Sequence, residues 1–311
     1  TAETPSTSHR NADWTPLSSG RNTASAAAMP WKKNFSNAFS RLNRRKMETE
    51  KIYNENCLQT MARMEAESVD FVLTSPPYDS IRNYNGFDFD FENIARELYR
   101  IITKGGVVVW VVSDATIDGS ESGTSFKQAL FFKEIGFRLH DTMIYYKNNP
   151  MPQTGNRYHQ HFEYMFAFSK GAPKTFNPIT ECTKYRGLAN MKNRGVEGSL
   201  NYQKVERTTV KKVGNVFFYS IGGGISTKDK VAYSHPAIFP EKLAQDQITT
   251  WTNEGDLVYD PFMGSGTTAK MSHLLRRHWI GSEISSEYVA IAEERLKQYT
   301  AEDLFSKRII I

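Results

Sequence analysis

Thr74-Ser75-Pro76-Pro77-Tyr78 follows the apolar run Val69-Asp70-Phe71-Val72-Leu73 and brings a hydroxyl, two rigid prolines and an aromatic ring together within five positions. Such a set can clamp a flat ring that bears an amine. An exocyclic amine on a nucleobase delocalises its lone pair into the ring, so it is a poor nucleophile until acceptors hold its two N–H groups in the tetrahedral directions. The Ser75 hydroxyl and the Pro76 carbonyl supply two acceptors, preorganised for that transition state. Proline has a fixed φ and no N–H, so Pro76 and Pro77 add no competing donor. Tyr78 offers a stacking face to a base that has left its duplex. Taken alone, the stretch fits a strand-ending Ser-Pro-Pro turn with a packed tyrosine equally well.

A second cluster lies near the other end of the chain. Gly255-Asp256-Leu257-Val258-Tyr259-Asp260-Pro261-Phe262-Met263-Gly264-Ser265-Gly266-Thr267-Thr268 reads as a strand, a glycine-rich turn and a helix starting near the two threonines. Glycines let a backbone approach a ligand closely, and the following helix N-terminus is positively polarised. With Ala269 next, the loop fits only the relaxed G-x-G-x-x-A form of the dinucleotide fingerprint, and no lysine follows at P-loop spacing. A nucleoside without phosphates is therefore as good a candidate ligand as a dinucleotide. Glu283 closes the next apolar strand 23 positions after Asp260, where an acid can hold both ribose hydroxyls. Between the clusters, His235-Pro236-Ala237-Ile238-Phe239-Pro240-Glu241 leads into a helix with Leu243, Ala244, Gln247, Ile248 and Trp251 on one face. Phe239 can cover an adenine ring; the same stretch also fits a capped core helix.

With these three segments in this order, the chain resembles the amino-group DNA methyltransferases that use S-adenosylmethionine, in the permuted β arrangement. In that family a [DNS]-PP-[YFW] catalytic box precedes the target-recognition region, and an F-x-G-x-G cofactor box comes last. The resemblance covers roughly residues 50 to 297. It implies an α/β fold: a permuted Rossmann-like methyltransferase domain with a mostly parallel seven-stranded sheet and an inserted basic target-recognition region. It implies a catalytic set of Ser75, Pro76, Pro77 and Tyr78 acting on double-stranded DNA. It also implies that S-adenosylmethionine is held by Asp260, Phe262, Gly264, Ser265, Gly266, Thr267, Thr268 and Glu283, with Phe239 and Pro240. Thr74–Tyr78 and His235–Pro240 are more similar to the N4-cytosine enzymes, since adenine-N6 relatives more often carry Asp or Asn before the prolines and an HPTQKP-like segment. An adenine-N6 enzyme with the same apparatus and a non-catalytic nucleic-acid-binding scaffold remain open alternatives. Glu55-Asn56-Cys57 departs from the Gly-Asp-Cys usual in the family, whose Asp contacts the cofactor adenine; Asn56 still offers a carbonyl acceptor.

Composition narrows the field further. At 311 residues the chain can bury one substantial core and a small appended lobe. No apolar run approaches the roughly 20 residues of a membrane helix, and no hydrophobic signal segment opens the chain. An intracellular place beside the DNA, as a monomer or homodimer, is expected. Two cysteines, Cys57 and Cys182, make neither a disulfide framework nor a zinc site, so no metal is expected. Neither follows a proline, which argues against the cysteine nucleophile of cytosine-C5 methylation. The net charge of +5 conceals a division. Residues 182–230 hold ten Lys/Arg against three acids, residues 1–46 eight against two, and the rest is acidic by −8. Lys184, Arg186, Lys192, Arg194, Lys204, Arg207, Lys211 and Lys212 are the candidate phosphate contacts; a charge run of this kind also fits a solvated loop.

The domain reading is a basic, largely disordered tail over 1–46, a catalytic half over 47–181, a DNA-binding insert over 182–230 and a cofactor half over 231–311. The tail's Arg41-Leu42-Asn43-Arg44-Arg45-Lys46 fits an import patch, a DNA-binding arm or part of a transit peptide. Strands are expected near 51–54, 69–73, 106–112, 139–146 and 162–168, and helices near 91–102 and 124–135. That alternation marks a largely parallel sheet covered on both faces. Lys104-Gly105-Gly106 reads as a helix stop followed by a turn. Residues 147–160 read as a polar loop before a strand; Arg157, His159 and, just beyond it, His161 are candidates to touch DNA, and a surface loop with satisfied histidines fits the stretch better.

Overall fold

The computed structural model describes residues 47–77, 89–150, 152–153, 155–183, 187–195, 197–235 and 238–299. The expectations for the 1–46 tail, Tyr78, Lys184 and Arg186 lie outside these residues, as does the side chain of Arg207.

The strands are β1 (Lys51–Tyr53), β2 (Val69–Thr74), β3 (Ile102–Val112), β4 (Thr116–Ile117), β5 (Ser120–Glu121), β6 (Arg138–Lys147) and β7 (Phe162–Ser169). They continue with β8 (Thr180–Cys182), β9 (Gly187–Arg194), β10 (Leu200–Arg207), β11 (Val210–Lys212), β12 (Val216–Tyr219), β13 (Leu257–Asp260) and β14 (His278–Ser282). The helices are α1 (Cys57–Arg63), α2 (Phe91–Ile101), α3 (Thr124–Glu134), α4 (Glu241–Trp251), α5 (Thr267–Leu274) and α6 (Ser286–Leu296). The main sheet runs β1-β14-β13-β2-β3-β7-β6-β12, and every adjacent pair is parallel except the two made by β7. It has eight strands where seven were expected. The additional strand, β12, lies inside the stretch assigned to the basic insert and pairs parallel with β6 at the sheet edge. Its Val216-Phe217-Phe218-Tyr219 carries no charge, and Tyr219 is buried with its hydroxyl donating to Asp246 at 3.0 Å.

Alternation along the central strands sorts the core into two layers, because successive side chains leave opposite faces of a sheet. Val107, Val109 and Val111 pack with Leu243 and Ile248 of α4, Ala269 of α5 and Ala292 of α6. Val108, Trp110 and Val112 pack with Met61 of α1, Leu98 of α2 and Phe132 of α3. Three helices therefore cover each face, which is why β3 is buried from Gly105 onward.

Lys104-Gly105-Gly106 corrects one expectation. Helix α2 has already ended at Ile101, and these residues lie within β3, where the register against β2 slips between Val69 and Phe71. Gly105 sits at φ 78°, and a Cβ on Gly106 would come within 2.8 Å of the Asp70 carbonyl oxygen. The glycines accommodate a bulge in a strand rather than a turn.

Candidate active site

Strands β13 and β2 lie side by side although 186 positions separate Thr74 from Asp260, and their carboxyl ends meet in a hydrogen bond. Thr74 Oγ1, the last residue of β2, donates to Asp260 Oδ1, the last residue of β13, at 2.7 Å. The same oxygen accepts from the Phe262 backbone N–H at 3.0 Å, and Oδ2 accepts from Thr268 Oγ1 at 2.6 Å. Asp260 is 1% exposed, so its carboxylate is engaged inside the protein and binds together the loop after β2, the loop after β13 and the start of α5. It therefore braces the cofactor-type loop from behind instead of facing a ligand across it. Burial pushes its carboxyl up to about 6, against the opposing pull of the Thr268, Thr74 and Phe262 hydrogen bonds.

The next strand end repeats the device. Glu283 Oε2 accepts from the Gly264 backbone N–H at 2.8 Å and Oε1 from that of Ser285 at 2.9 Å. Burial raises this carboxyl too, with the backbone donors opposing. No side-chain cation pairs with it among the described residues, and each oxygen keeps a lone pair for a further donor such as a hydroxyl. Asn54, just past β1, donates Nδ2 to the carbonyls of Glu283 at 2.9 Å and Ile284 at 3.1 Å, bringing a fourth strand end to the same edge. Asn56 spends one acceptor position on capping α1, taking the Leu58 N–H at 2.9 Å.

The glycine-rich turn is shaped by its surroundings. Gly266 begins α5 at φ 79°, and a Cβ there would stand 3.0 Å from that of Ala292. A Cβ on Gly264, at φ 51°, would meet the His235 ring at 2.9 Å, so the third sequence segment rests directly on this turn. His235 is held edge-on to Tyr288 with ring centroids 4.3 Å apart. Phe239 is half-buried against the core layer of α4, and the buried Pro240 is the N-cap residue of that helix. Ser265, Thr267 and Thr268 are buried, whereas Phe262 is half-buried beside Phe89, centroids 5.7 Å apart. On the other side of the Thr74–Asp260 bond come half-buried Ser75, buried Pro76 and half-buried Pro77.

Behind the turn lies a buried ionic cluster that the sequence reading missed. Arg295, 0% exposed, donates Nε to Asp229 at 2.6 Å and Nη2 to Glu241 at 2.6 Å. Its Nη1 donates to the Ser265 carbonyl and to Thr267 Oγ1, both at 3.0 Å. Lys270 Nζ reaches Asp229 at 2.9 Å and Glu241 at 2.7 Å, and the Tyr299 hydroxyl donates to Asp229 at 2.8 Å. Burial disfavours the Asp229 carboxylate, but the bonds from Lys270, Arg295 and Tyr299 outweigh it and hold the group at about 2. The cluster ties the glycine-rich turn to α6 and to the segment leading into α4. A sequence signal existed: Arg295 follows Val289 and Ala292 at three-residue steps, a position on the apolar stripe of α6.

Cys57 is buried, and burial pushes its thiol up to about 12, so it holds its proton at neutral pH. The other cysteine, Cys182, is free and exposed. Arg157 donates to the Gly119 carbonyl at 2.6 Å, His159 Nδ1 accepts from the Gln153 N–H at 3.0 Å, and His161 stacks on Tyr146. These three side chains are engaged within the protein. The basic candidates divide over two ribbons. Lys192, Arg194 and Lys204 lie on β9 and β10, which pair only with each other, while Lys211 and Lys212 lie on β11, paired with β8. Lys211 is matched by Glu181 at 2.9 Å, and Lys212 lies over the Phe176 ring at 5.1 Å. Among the described residues no group of His, Cys, Asp and Glu is arranged to hold a metal, and no helix is long and apolar enough to cross a membrane.

An open parallel sheet whose strand ends gather these loops at a switch point is a nucleoside- or nucleotide-binding framework. The N6/N4 model of the DNA methylase family matches residues 69–294, and the chain belongs to that family. Among its relatives, the orphan methyltransferase M.BamHII of Bacillus amyloliquefaciens is 54% identical over 240 residues, 75% of this chain and 90% of that protein. The M1.HpyAVI–SAM complex is 25% identical with a TM-score of 0.51, covering 79% of this chain and 99% of its own. The fold is also that of the PvuII DNA methyltransferase (cytosine-N4-specific), at a TM-score of 0.60 and 21% identity over 83% of this chain and 91% of that one.

Proposed function

We propose that this DNA methyltransferase moves a methyl group from S-adenosylmethionine to the exocyclic N4 amine of a cytosine turned out of double-stranded DNA. The observation that carries the reading is the Thr74–Asp260 hydrogen bond, which holds the Ser-Pro-Pro loop and the glycine-rich turn side by side at the carboxyl ends of adjacent parallel strands.

The chemistry of the turn favours a cationic nucleoside over a phosphorylated one. Two carboxylates, the buried Asp260 and the half-buried Glu283, flank it; Lys270 and Arg295 behind it are neutralised by Asp229 and Glu241. A phosphate there would meet uncompensated negative charge, whereas a sulfonium would not. The residues present fit such a cofactor: the spare lone pairs of Glu283 suit ribose hydroxyls, Phe239 and Phe262 suit the purine faces, and Asn56 retains an acceptor position. When bound, S-adenosylmethionine supplies an activated methyl group. The chain's own contribution is orientation and electrostatics. Ser75 Oγ and the Pro76 carbonyl would draw the two amine hydrogens out of the base plane, which would free the nitrogen lone pair to take up the methyl group. Tyr78 stacks on the base, and the surplus proton leaves the alkylated nitrogen for solvent. No covalent bond to the enzyme forms, in keeping with the protonated Cys57 thiol.

Serine at position 75, where adenine enzymes of the resembled family more often carry Asp or Asn, supports cytosine. Incubation with isotopically labelled cofactor and mixed-sequence DNA, followed by nucleoside mass spectrometry, is expected to yield N4-methylcytosine. N6-methyladenine would overturn the choice of base, and the absence of any methylated nucleoside would overturn the activity.

A further inference from the structure

Strands β9 and β10 form a two-stranded antiparallel ribbon in unbroken register, from Gly187 opposite Arg207 to Arg194 opposite Leu200, closed by a turn in which Gly195 N–H donates to the Ser199 carbonyl at 2.8 Å. Both faces are in solvent; of the described side chains along it, only Ala189 is half-buried. A hairpin of two strands with no third strand or helix beneath it is marginal in water. This one nevertheless exposes large apolar side chains, with Leu188 at 75% and Tyr202 at 63%. A surface of that kind awaits a partner.

Register assigns the faces, since directly opposed residues project to the same side. Leu188 and Glu206, Asn190 and Lys204, Lys192 and Tyr202, and Arg194 and Leu200 share one face. Ala189 and Val205, Met191 and Gln203, and Asn193 and Asn201 share the other. The three described cations of the ribbon therefore gather on a single face, with Lys192 poised over the Tyr202 ring at 5.5 Å. No hydrogen bond or ion pair within the described protein engages Arg194 or Lys204, in contrast to Lys211, which Glu181 neutralises.

We propose that this cationic face seats the ribbon in the major groove of the DNA substrate, Lys192, Arg194 and Lys204 meeting phosphates and base edges while the Asn193–Asn201 face stays in solvent. The inference rests on the DNA-methylating reading above and adds which part of the basic middle touches DNA, and by which side. Charge complementarity selects the occupant: polyanionic DNA matches a face on which three cations, Lys192, Arg194 and Lys204, outnumber the one acid, Glu206 at the far end of the ribbon from Arg194. Shape agrees, because two strands about 4.8 Å apart with their side chains fit a groove about 12 Å wide, and eight residues at about 3.3 Å each run along it for more than two-thirds of a helical turn of DNA. An arginine or lysine there suits the O6 and N7 acceptors of guanine.

The test compares the two faces in the full chain. The triple variant K192A/R194A/K204A and the neutral-face variant N193A/N201A/Q203A are titrated with sheared mixed-sequence DNA over a range of salt. All six side chains are exposed, so both variants should keep the parent's melting temperature. The cationic-face variant is expected to lower the slope of log K against log salt by about 3, and the neutral-face variant to leave it unchanged. Equal effects from the two faces, or no change from either, would overturn the proposal. Turnover with labelled cofactor at low salt should show KM for DNA raised in the cationic-face variant, and both kcat and KM for DNA unchanged in the neutral-face variant. A parent protein that binds DNA with the expected slopes but methylates nothing would sink the activity and leave the ribbon standing.

Discussion

Asp260→Asn removes the charge at the junction of the two loops while keeping its shape. The Asn oxygen can still accept from Thr74 and from the Phe262 N–H, and its amide nitrogen can donate to the Thr268 hydroxyl. The parent carboxyl titrates at about 6 in the folded chain, above the 3.8 of an ordinary aspartate, with burial as the leading cause. A raised carboxyl means the folded state binds more protons than the unfolded one between those values. Its stabilising contribution is thus full below about 3.8 and is lost as pH rises through about 6. At ~1.4 kcal/mol per pH unit the whole loss is about 3 kcal/mol. Near pH 5 about half has already accrued, because the unfolded chain has released its proton and the folded chain has kept it; by pH 8 all of it has. Asp260→Asn escapes this loss. Relative to the parent it should gain about 1.4 kcal/mol more at pH 8 than at pH 5, every other titrating group cancelling in the comparison. Urea unfolding of both proteins at the two pH values measures that difference. An identical stability gap at pH 5 and pH 8, or one that widens toward pH 5, would refute the assignment of a strained, internally spent carboxylate.

Other consequences are nearer the surface of the mechanism. Ser75→Ala should reduce kcat by about 100-fold or more, as losing one preorganised partner of the transition state does, while calorimetry finds cofactor affinity unchanged; equal losses in both would remove Ser75 from the chemistry. Glu283→Gln sets an amide N–H against the Gly264 or Ser285 N–H and should weaken cofactor binding about tenfold or more, readable by calorimetry without DNA. Gly266→Ala forces a side chain into φ 79° and against Ala292, costing at least about 1–2 kcal/mol in urea unfolding. Arg295→Met strands Asp229 and Glu241 beside a single lysine and should cost about 3–5 kcal/mol, with the unfolding midpoint as the readout.

Much of the fold could be read along the chain because its signals are local. The unbroken apolar run of β3 required burial on both faces, the strand-turn-helix pattern around Gly264 and Gly266 emerged at β13 and α5, and the apolar face of α4 came out buried as its spacing requires. The Ser-Pro-Pro and glycine-rich motifs, by residue type and order, already pointed to amine methylation and a nucleoside cofactor. What local patterns cannot contain is the partner of a polar group. Asp260 was legible as a residue at a strand end, but its inward carboxylate depends on Thr74, 186 positions away, and on the parallel pairing that brings the two strands together. Arg295 and Lys270 look like surface charges on short helices until Asp229 and Glu241 arrive from another part of the chain to make their burial tolerable. The charge count of the middle region likewise gave a total without a direction. Strand register alone decides that Lys192, Arg194 and Lys204 share a face, that Lys211 is neutralised on a different ribbon, and that the uncharged β12 leaves the basic stretch to join the sheet, because each depends on pairing between residues distant in sequence.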